Sequence, residues 1–162
     1  MARQSSRPPA VPAVDLERRL AEGGLPSVVV LAGAERWFRE EGVRLLVARV
    51  LPDGDSGASL LRFDARRPED RSAVSGAIDE LRSATLFGGG KVIVVENADA
   101  AAGPWAEGRK SPIRNLSEAV LSADTSSVLV LHTGRPVRGT SPIPAAALVK
   151  AGALVVDCRP LY

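Results

Sequence analysis

Apolar residues along this chain fall into short runs separated by segments with helical spacing. The first run, VVVLAG, spans residues 28–33, and comparable runs follow at residues 59–64, 91–96, 127–132 and 153–157. A continuous apolar run of this length is typical of a strand that is covered on both faces, as in a parallel sheet. The pattern therefore predicts five buried strands.

The segments between the runs place their apolar residues on one face of a helix. Residues 35–50 show this best, because acidic side chains crowd the N-terminal half and Pro52 ends the segment. The predicted inward-facing residues of this long helix are Phe38, Leu45, Leu46 and Val50. A shorter helix precedes the first strand and ends at Gly23, which suits a C-terminal cap. Further helices are predicted to begin near Pro68, Ser111 and Ser141.

Strands that alternate with helices predict a three-layer α/β domain, because parallel neighbours need crossover connections that cover the sheet. This is the outline of a nucleotide-binding fold. A length of 162 residues allows one such domain. We assign it to residues 14–162 and expect residues 1–13, which are rich in Arg, Ser and Pro, to form a flexible tail. Loops are expected at residues 53–57 and 98–110.

Composition excludes several classes of protein. The apolar fraction of 45% and the charged fraction of 25% are ordinary for a globular domain. With one cysteine and one histidine, neither an internal disulfide nor a Cys/His metal cluster can form. No apolar run approaches the ~20 residues that span a bilayer, so we expect a cytoplasmic protein without membrane contact. The net charge of +2 permits contact with nucleic acid without indicating it.

Ligands in an open parallel sheet bind beyond the carboxyl ends of the strands, so the loop after the first strand is the first place to look for chemistry. A phosphate-binding loop needs several glycines followed by Lys and Ser or Thr, whereas here one glycine, Gly33, precedes the acid Glu35. Residues 88–91 have the sequence GGGK, but they follow a helix and lead into a strand, the reverse of the order that points a helix N-terminus at phosphate. We therefore interpret them as a turn.

Three other residues carry reactive groups, and each lacks a companion. Glu96 ends the third strand, where nucleotide hydrolases hold a metal, but without a phosphate loop we interpret it as a solvated or capping carboxylate. For His132 we expect a surface or hydrogen-bonded role. Cys158 stands beside Arg159, which could lower its pKa, but no base accompanies it. We assign no catalytic residue, metal ligand, nucleotide-binding residue or cofactor to this domain.

The most distinctive feature is a pair of large apolar residues, Leu86 and Phe87, which follows Thr85 at the end of a predicted helix and precedes three glycines. As core residues the pair would close the edge of the sheet. As an exposed anchor it could fill a pocket of a partner, where full burial contributes roughly 1.5 to 3 kcal/mol per side chain. The residues alone leave both interpretations open.

Three segments, in order, are VVVLAGAERWFREEG, LLRFDARRPED and LRSATLFGGGKVIVVENAD, and the last is the most distinctive. Their order and spacing resemble the N-terminal domain of the delta-subunit family of bacterial DNA polymerase III clamp loaders. The resemblance runs from about residue 28 to residue 162. The helical and collar domains that follow in that family are not part of this sequence.

The resemblance implies an AAA+-like fold that binds no ATP, with the strand order 5-1-4-3-2. It also implies that Leu86 and Phe87, beside Thr85, insert into a hydrophobic pocket of the DNA sliding clamp, the beta subunit, and help to open the ring during DNA replication. Neighbouring clamp-loader subunits would supply ATP hydrolysis and would be joined through the domains not present here. Contact with primed DNA would be indirect, and the polymerase activity would belong to the parent holoenzyme.

Two alternatives remain. The chain could be a small nucleotide- or phosphate-binding enzyme that uses Gly33 or residues 88–91. Titration with ATP and magnesium separates this alternative from clamp binding, because such an enzyme would bind ATP saturably. Direct DNA binding is the second alternative, although no aromatic stacking platform accompanies the basic residues concerned. These residues are Arg135, Arg138, Lys150 and Arg159.

Overall fold

The computed structural model describes residues 10–53, 59–70, 73, 76, 81, 90–100, 126–136, 143 and 145–161. Within them, six strands form one parallel sheet. The strands are Val11–Pro12 (β1), Val28–Ala32 (β2), Leu60–Asp64 (β3), Val92–Glu96 (β4), Val128–Thr133 (β5) and Leu154–Asp157 (β6). Their spatial order is β1-β6-β2-β5-β4-β3.

Helices connect the strands across both faces of the sheet. Leu16–Gly23 (α1) precedes β2, Arg36–Val50 (α2) links β2 to β3, and Ala145–Lys150 (α3) precedes β6. Between β3 and β4, the described residues 68–70, 73, 76 and 81 are helical. Among the described parts of the chain, no helix is long and apolar enough to cross a membrane.

The sheet confirms the predicted α/β class. All five predicted strands are present, with bounds within one residue of the apolar runs. The predicted order 5-1-4-3-2 corresponds to β6-β2-β5-β4-β3 and is also confirmed. All residues of β2 and β5 are buried, which explains why the apolar residues at 28–32 and 128–131 are continuous rather than alternating.

Side chains that alternate along the strands build a core on each face of the sheet. On one face, Val29 and Leu31 of β2 pack with Leu16 of α1 and with Val43 and Leu46 of α2. On the other face, side chains from the same strands pack with the buried helical residues Leu81, Ala145 and Leu148. The three layers therefore come from helices that cover both sides of one sheet.

The long helix begins and ends as its sequence predicts. The carboxylate of Glu35 accepts a hydrogen bond from the Trp37 amide at the N-terminus, and the amide of Leu51 donates to the Val47 carbonyl just before Pro52. Of the predicted inward-facing residues, Leu46 is fully buried. The others, Phe38, Leu45 and Val50, are half-buried against the same core. The centre of the contact is formed by Gly42 and Val43, which the prediction did not include.

The predicted boundary of the N-terminal tail is wrong. Residues 11–13 were expected in the tail, but Val11 pairs with Val156 of β6, and Ala13 begins a 3-10 turn at Ala13–Asp15. Both Val11 and Ala13 pack against the core, and this apolar contact offsets the entropy that a flexible segment would keep. Residues 1–9 lie outside the described part of the chain.

Two local predictions are also wrong. α1 ends at Gly23 as predicted, but the left-handed cap assigned to Gly23 is at Gly24, which has φ 75°. Residues 98–100, expected in a loop, are helical, because Ala98 is buried and the Ala100 amide donates to the Asn97 carbonyl at 2.9 Å. The helix predicted from Ser111 and most of the loop predicted at 53–57 lie outside the described residues.

Candidate functional site

The loop between β2 and α2 is occupied by the chain itself. The Gly33 amide donates to the Thr133 carbonyl at 3.1 Å, and the Glu35 amide donates to the Cys158 carbonyl at 3.0 Å. The Trp37 amide donates to the side chain of Glu35 at 3.3 Å. These are amides that a phosphate-binding loop would present to its ligand, and here they are already bonded.

Close packing against the end of β6 also closes this loop. Gly33 has φ 149°, a region that side-chain-bearing residues rarely adopt, and a Cβ atom there would overlap the backbone of Cys158 and Arg159. From the first turns of α2, the guanidinium of Arg39 donates to the Gly33 carbonyl. The glycine at this position therefore allows contact between two strand ends rather than the approach of a phosphate.

The segment GGGK contributes only Gly90 and Lys91 to the described residues. A Cβ atom at Gly90 would overlap the carbonyl of Ser126 and approach Val50 of α2. The Lys91 amide donates to the Ser127 side chain at 3.0 Å, just before β4 begins. This packing requires glycine at position 90, just before β4, while Gly88 and Gly89 lie outside the described residues.

A row of polar side chains crosses the carboxyl ends of three neighbouring strands. Asp64 of β3 pairs in register with Glu96 of β4, which pairs with His132 of β5. The strand register places all three residues on the face that α2 covers. We take this row as the candidate functional site, because ligands of parallel sheets bind at this edge.

The two carboxylates of the row are held by arginines. Glu96 lies 3.2 Å from Arg62, whose guanidinium is 3.9 Å from Glu40 of α2. Hydrogen bonds from Arg66 lower the pKa of Asp64 to about 2, and a hydrogen bond from the Asn97 side chain adds to the effect. The expected solvated carboxylate at Glu96 is thus a half-buried member of an ion pair.

The prediction of a surface or hydrogen-bonded role for His132 is wrong. Its side chain is 9% exposed, and its Nε2 atom has no hydrogen-bond partner in the described part of the structure. Burial lowers the pKa of the imidazole to about 4, and the positive charge of Arg39 adds to this shift. The nearest acid, Glu40, lies 3.9 Å from Nε2.

Arg159 does not lower the pKa of Cys158. Burial raises the pKa of the Cys158 thiol to about 12, so the thiol stays protonated at neutral pH. The guanidinium of Arg159 instead donates to Asp157, with Nε 2.8 Å from Oδ2. Cys158 is a buried core residue whose backbone closes the loop at Gly33.

The basic residues considered for DNA contact do not form a common cluster of free charges in the described structure. Arg135 lies 3.7 Å from Asp99, and Arg159 is paired with Asp157. Lys150 is exposed in the last turn of α3. Arg138 lies outside the described residues.

Metal chemistry finds no support in the described residues. Among these described residues, no three side chains of His, Cys, Asp or Glu lie close enough together to hold one metal ion. Two carboxylates at this edge, Glu96 and Glu40, share Arg62 as their partner.

The predicted clamp-binding residues, Thr85, Leu86 and Phe87, lie outside the described part of the structure. The described residue that precedes them most closely, Leu81, is helical and 2% exposed. It packs in the core on the face opposite α2. Only Leu81 is described in this stretch before the pair, so the structure does not test the clamp-binding prediction.

One surface feature was missed at the sequence level. A mostly apolar groove of about 470 Å³ lies beside β1, the start of α2 and the chain after β6. Trp37, which is 64% exposed, contacts Phe38 edge to face at a ring-centroid distance of 5.3 Å. The groove is lined by Pro12, Ala13, Val14, Phe38, Asp157, Arg159, Pro160 and Leu161. The Trp37-Phe38 pair was the available signal, since aromatic residues make up 4% of the chain.

Comparison with known proteins gives a likeness of fold. No protein family and no curated protein matches the sequence. The DNA clamp loader delta protein of Bacillus subtilis matches with a TM-score of 0.67 and 21% identity, over 92% of this chain and 43% of that chain. A DNA polymerase III gamma subunit-related protein of Thermotoga maritima matches with a TM-score of 0.54 and 13% identity, over 89% of this chain and 45% of that chain.

This chain spans less than half the length of both solved chains. At identities of 21% and 13%, the likeness is one of architecture. The chain therefore shares the parallel α/β fold of these two proteins.

Proposed function

We propose that this chain acts in a clamp loader, as the domain that binds a DNA sliding clamp and helps to open the ring during DNA replication. The observation that carries the proposal is the likeness of fold to the Bacillus subtilis clamp loader delta protein over 92% of this chain. Because the aligned part is 43% of that protein, association with other loader subunits would involve regions beyond this domain. Contact with primed DNA would be indirect.

The chemistry of the carboxyl edge supports a protein-binding role over nucleotide chemistry. The amides of Gly33 and Glu35 are bonded within the chain, and the backbone of Cys158 fills the space beside Gly33. Of the reactive groups at this edge, Glu96 is paired with Arg62 and His132 is buried. A domain of this kind contributes shape and surface to an assembly, and the work of ATP hydrolysis falls to other subunits.

We assign the clamp contact to Leu86 and Phe87, with Thr85 beside them. The assignment rests on the sequence resemblance of residues 81–98 to the delta-subunit family.

A binding measurement between the purified chain and the cognate sliding clamp tests the proposal. We expect saturable binding by the wild type, and a loss of about 100-fold or more for Leu86→Ala combined with Phe87→Ala, since two anchors contribute roughly 1.5 to 3 kcal/mol each. The matched control is Trp37→Ala with Leu161→Ala, which removes two exposed apolar side chains, of which Leu161 lines the groove. The control should bind as the wild type does.

Each outcome has a defined meaning when thermal stability is measured in parallel. Absence of clamp binding by the wild type contradicts the proposed function. Equal binding by the wild type and the Leu86/Phe87 variant contradicts the anchor assignment. A loss of clamp binding by the control variant alone would instead indicate that the clamp contacts the surface at the groove. If the Leu86/Phe87 variant also loses the roughly 3 to 5 kcal/mol typical of an excised core Phe, the pair is core rather than anchor.

A further inference from the structure

We draw no further inference here: the strongest candidate, the apolar groove between the 3-10 turn after β1, the start of α2 and residues 157–161, carries nothing because nothing in the structure shows what covers it.

Discussion

The imidazole of His132 lies in surroundings that favour its neutral form. Burial removes it from water, and three arginines nearby, Arg36, Arg39 and Arg62, oppose a further positive charge. Glu40 favours protonation but lies 3.9 Å away and also faces Arg62. Burial and the arginines prevail, so the pKa falls from 6.5 to about 4.

This depressed pKa predicts a loss of stability in mild acid. Above about pH 6.5 the imidazole is neutral in both folded and unfolded states, and its contribution to stability is complete. As the pH falls from there towards 4, the unfolded state binds the proton more readily, so folding weakens. Between pH 7 and pH 5 we expect His132 to account for a loss of about 2 kcal/mol in the free energy of unfolding. Urea denaturation at both pH values measures it.

The variant His132→Gln is the control, because its side chain is neutral at every pH. Carboxylates contribute to the pH dependence of both proteins, so the informative quantity is the difference between their slopes. As the chain has one histidine, its NMR resonance needs no assignment and should titrate near pH 4. Titration near 6.5, or equal slopes for the two proteins, would contradict the buried neutral state.

Single residues show where sequence reasoning stops. The sequence showed that His132 and Cys158 lack companion residues, but it did not show that both are buried. Their burial depends on α2 and on strand neighbours that are distant in the chain. For Cys158 one signal was overlooked. Adjacent residues of an extended chain point to opposite sides, so Arg159 was better placed to reach Asp157 than its neighbouring thiol.

At the scale of elements, the junction between β2, α2 and the end of β6 depends on one glycine. Gly33→Ala would force a side chain into a positive-φ conformation and against the Cys158 backbone. Strain of this kind costs about 1 to 3 kcal/mol before the steric overlap is counted, so we expect at least that loss in stability. Gly76→Ala is the matched control, because Gly76 is helical, exposed and has no atom within 4 Å of an added Cβ.

If the junction is packed as described, thermal denaturation should show lower stability for Gly33→Ala and equal or higher stability for Gly76→Ala, each compared with the wild type. The Gly76 variant should be as stable as the wild type or up to about 1 kcal/mol more stable, since alanine is the better helix former. Equal stability of the Gly33 variant and the wild type would show that the contact between the loop and β6 is looser than its geometry implies.

The two-residue strand β1 makes a second prediction about elements. A truncated chain that begins at Ala10 keeps Val11 and Ala13 against the core, whereas one that begins at Val14 loses both contacts. Full burial contributes roughly 1.5 to 3 kcal/mol for a Val side chain and ~0.8 kcal/mol for a methyl group, and these two side chains are half-buried, so we expect the shorter chain to lose about 1 to 2 kcal/mol in the free energy of unfolding. At roughly 2 to 4 °C per kcal/mol for a domain of this size, its melting temperature should fall by about 2 to 8 °C.

The chain that begins at Ala10 should have the same melting temperature as the full-length protein, because residues 1–9 are predicted to be a flexible tail. A fall in its melting temperature would contradict that prediction. No fall for the chain that begins at Val14 would instead show that β1 contributes nothing to stability.

Whether an element could be predicted depended on whether its order comes from a local sequence pattern or from contacts distant in the chain. Strands such as β2 were predictable because five consecutive buried residues must all be apolar. β1 was missed because two residues, one of them proline, carry no periodicity, and its order comes from pairing with β6 at the far end of the chain. The groove was missed for the same reason, since residues 12–14, 38 and 157–161 meet only in the folded protein.

At the scale of the whole molecule, the chain order brings the carboxyl ends of β2, β5 and β6 together. In many α/β proteins the carboxyl edge of the sheet is left open for a ligand at the topological switch point, where the strand order reverses. Here three hydrogen bonds cross it: Gly33 to Thr133, Glu35 to Cys158, and Cys158 to Ala32. The edge that usually binds a ligand is used to join the ends of the strands.

ATP with magnesium should therefore leave the melting temperature of this protein unchanged. A triphosphate at the β2-α2 loop would have to displace the contacts of Gly33 and Glu35 and would face the negative charge of Glu35. Breaking the two hydrogen bonds that the Gly33 and Glu35 amides donate costs roughly 2 kcal/mol before any repulsion is added. A ligand present at a thousand times its Kd raises the stability of the folded state by about 4 kcal/mol, which would raise the melting temperature by roughly 8 to 16 °C. Magnesium alone is the control, and a saturable rise with ATP would contradict the closed loop and favour the enzyme alternative.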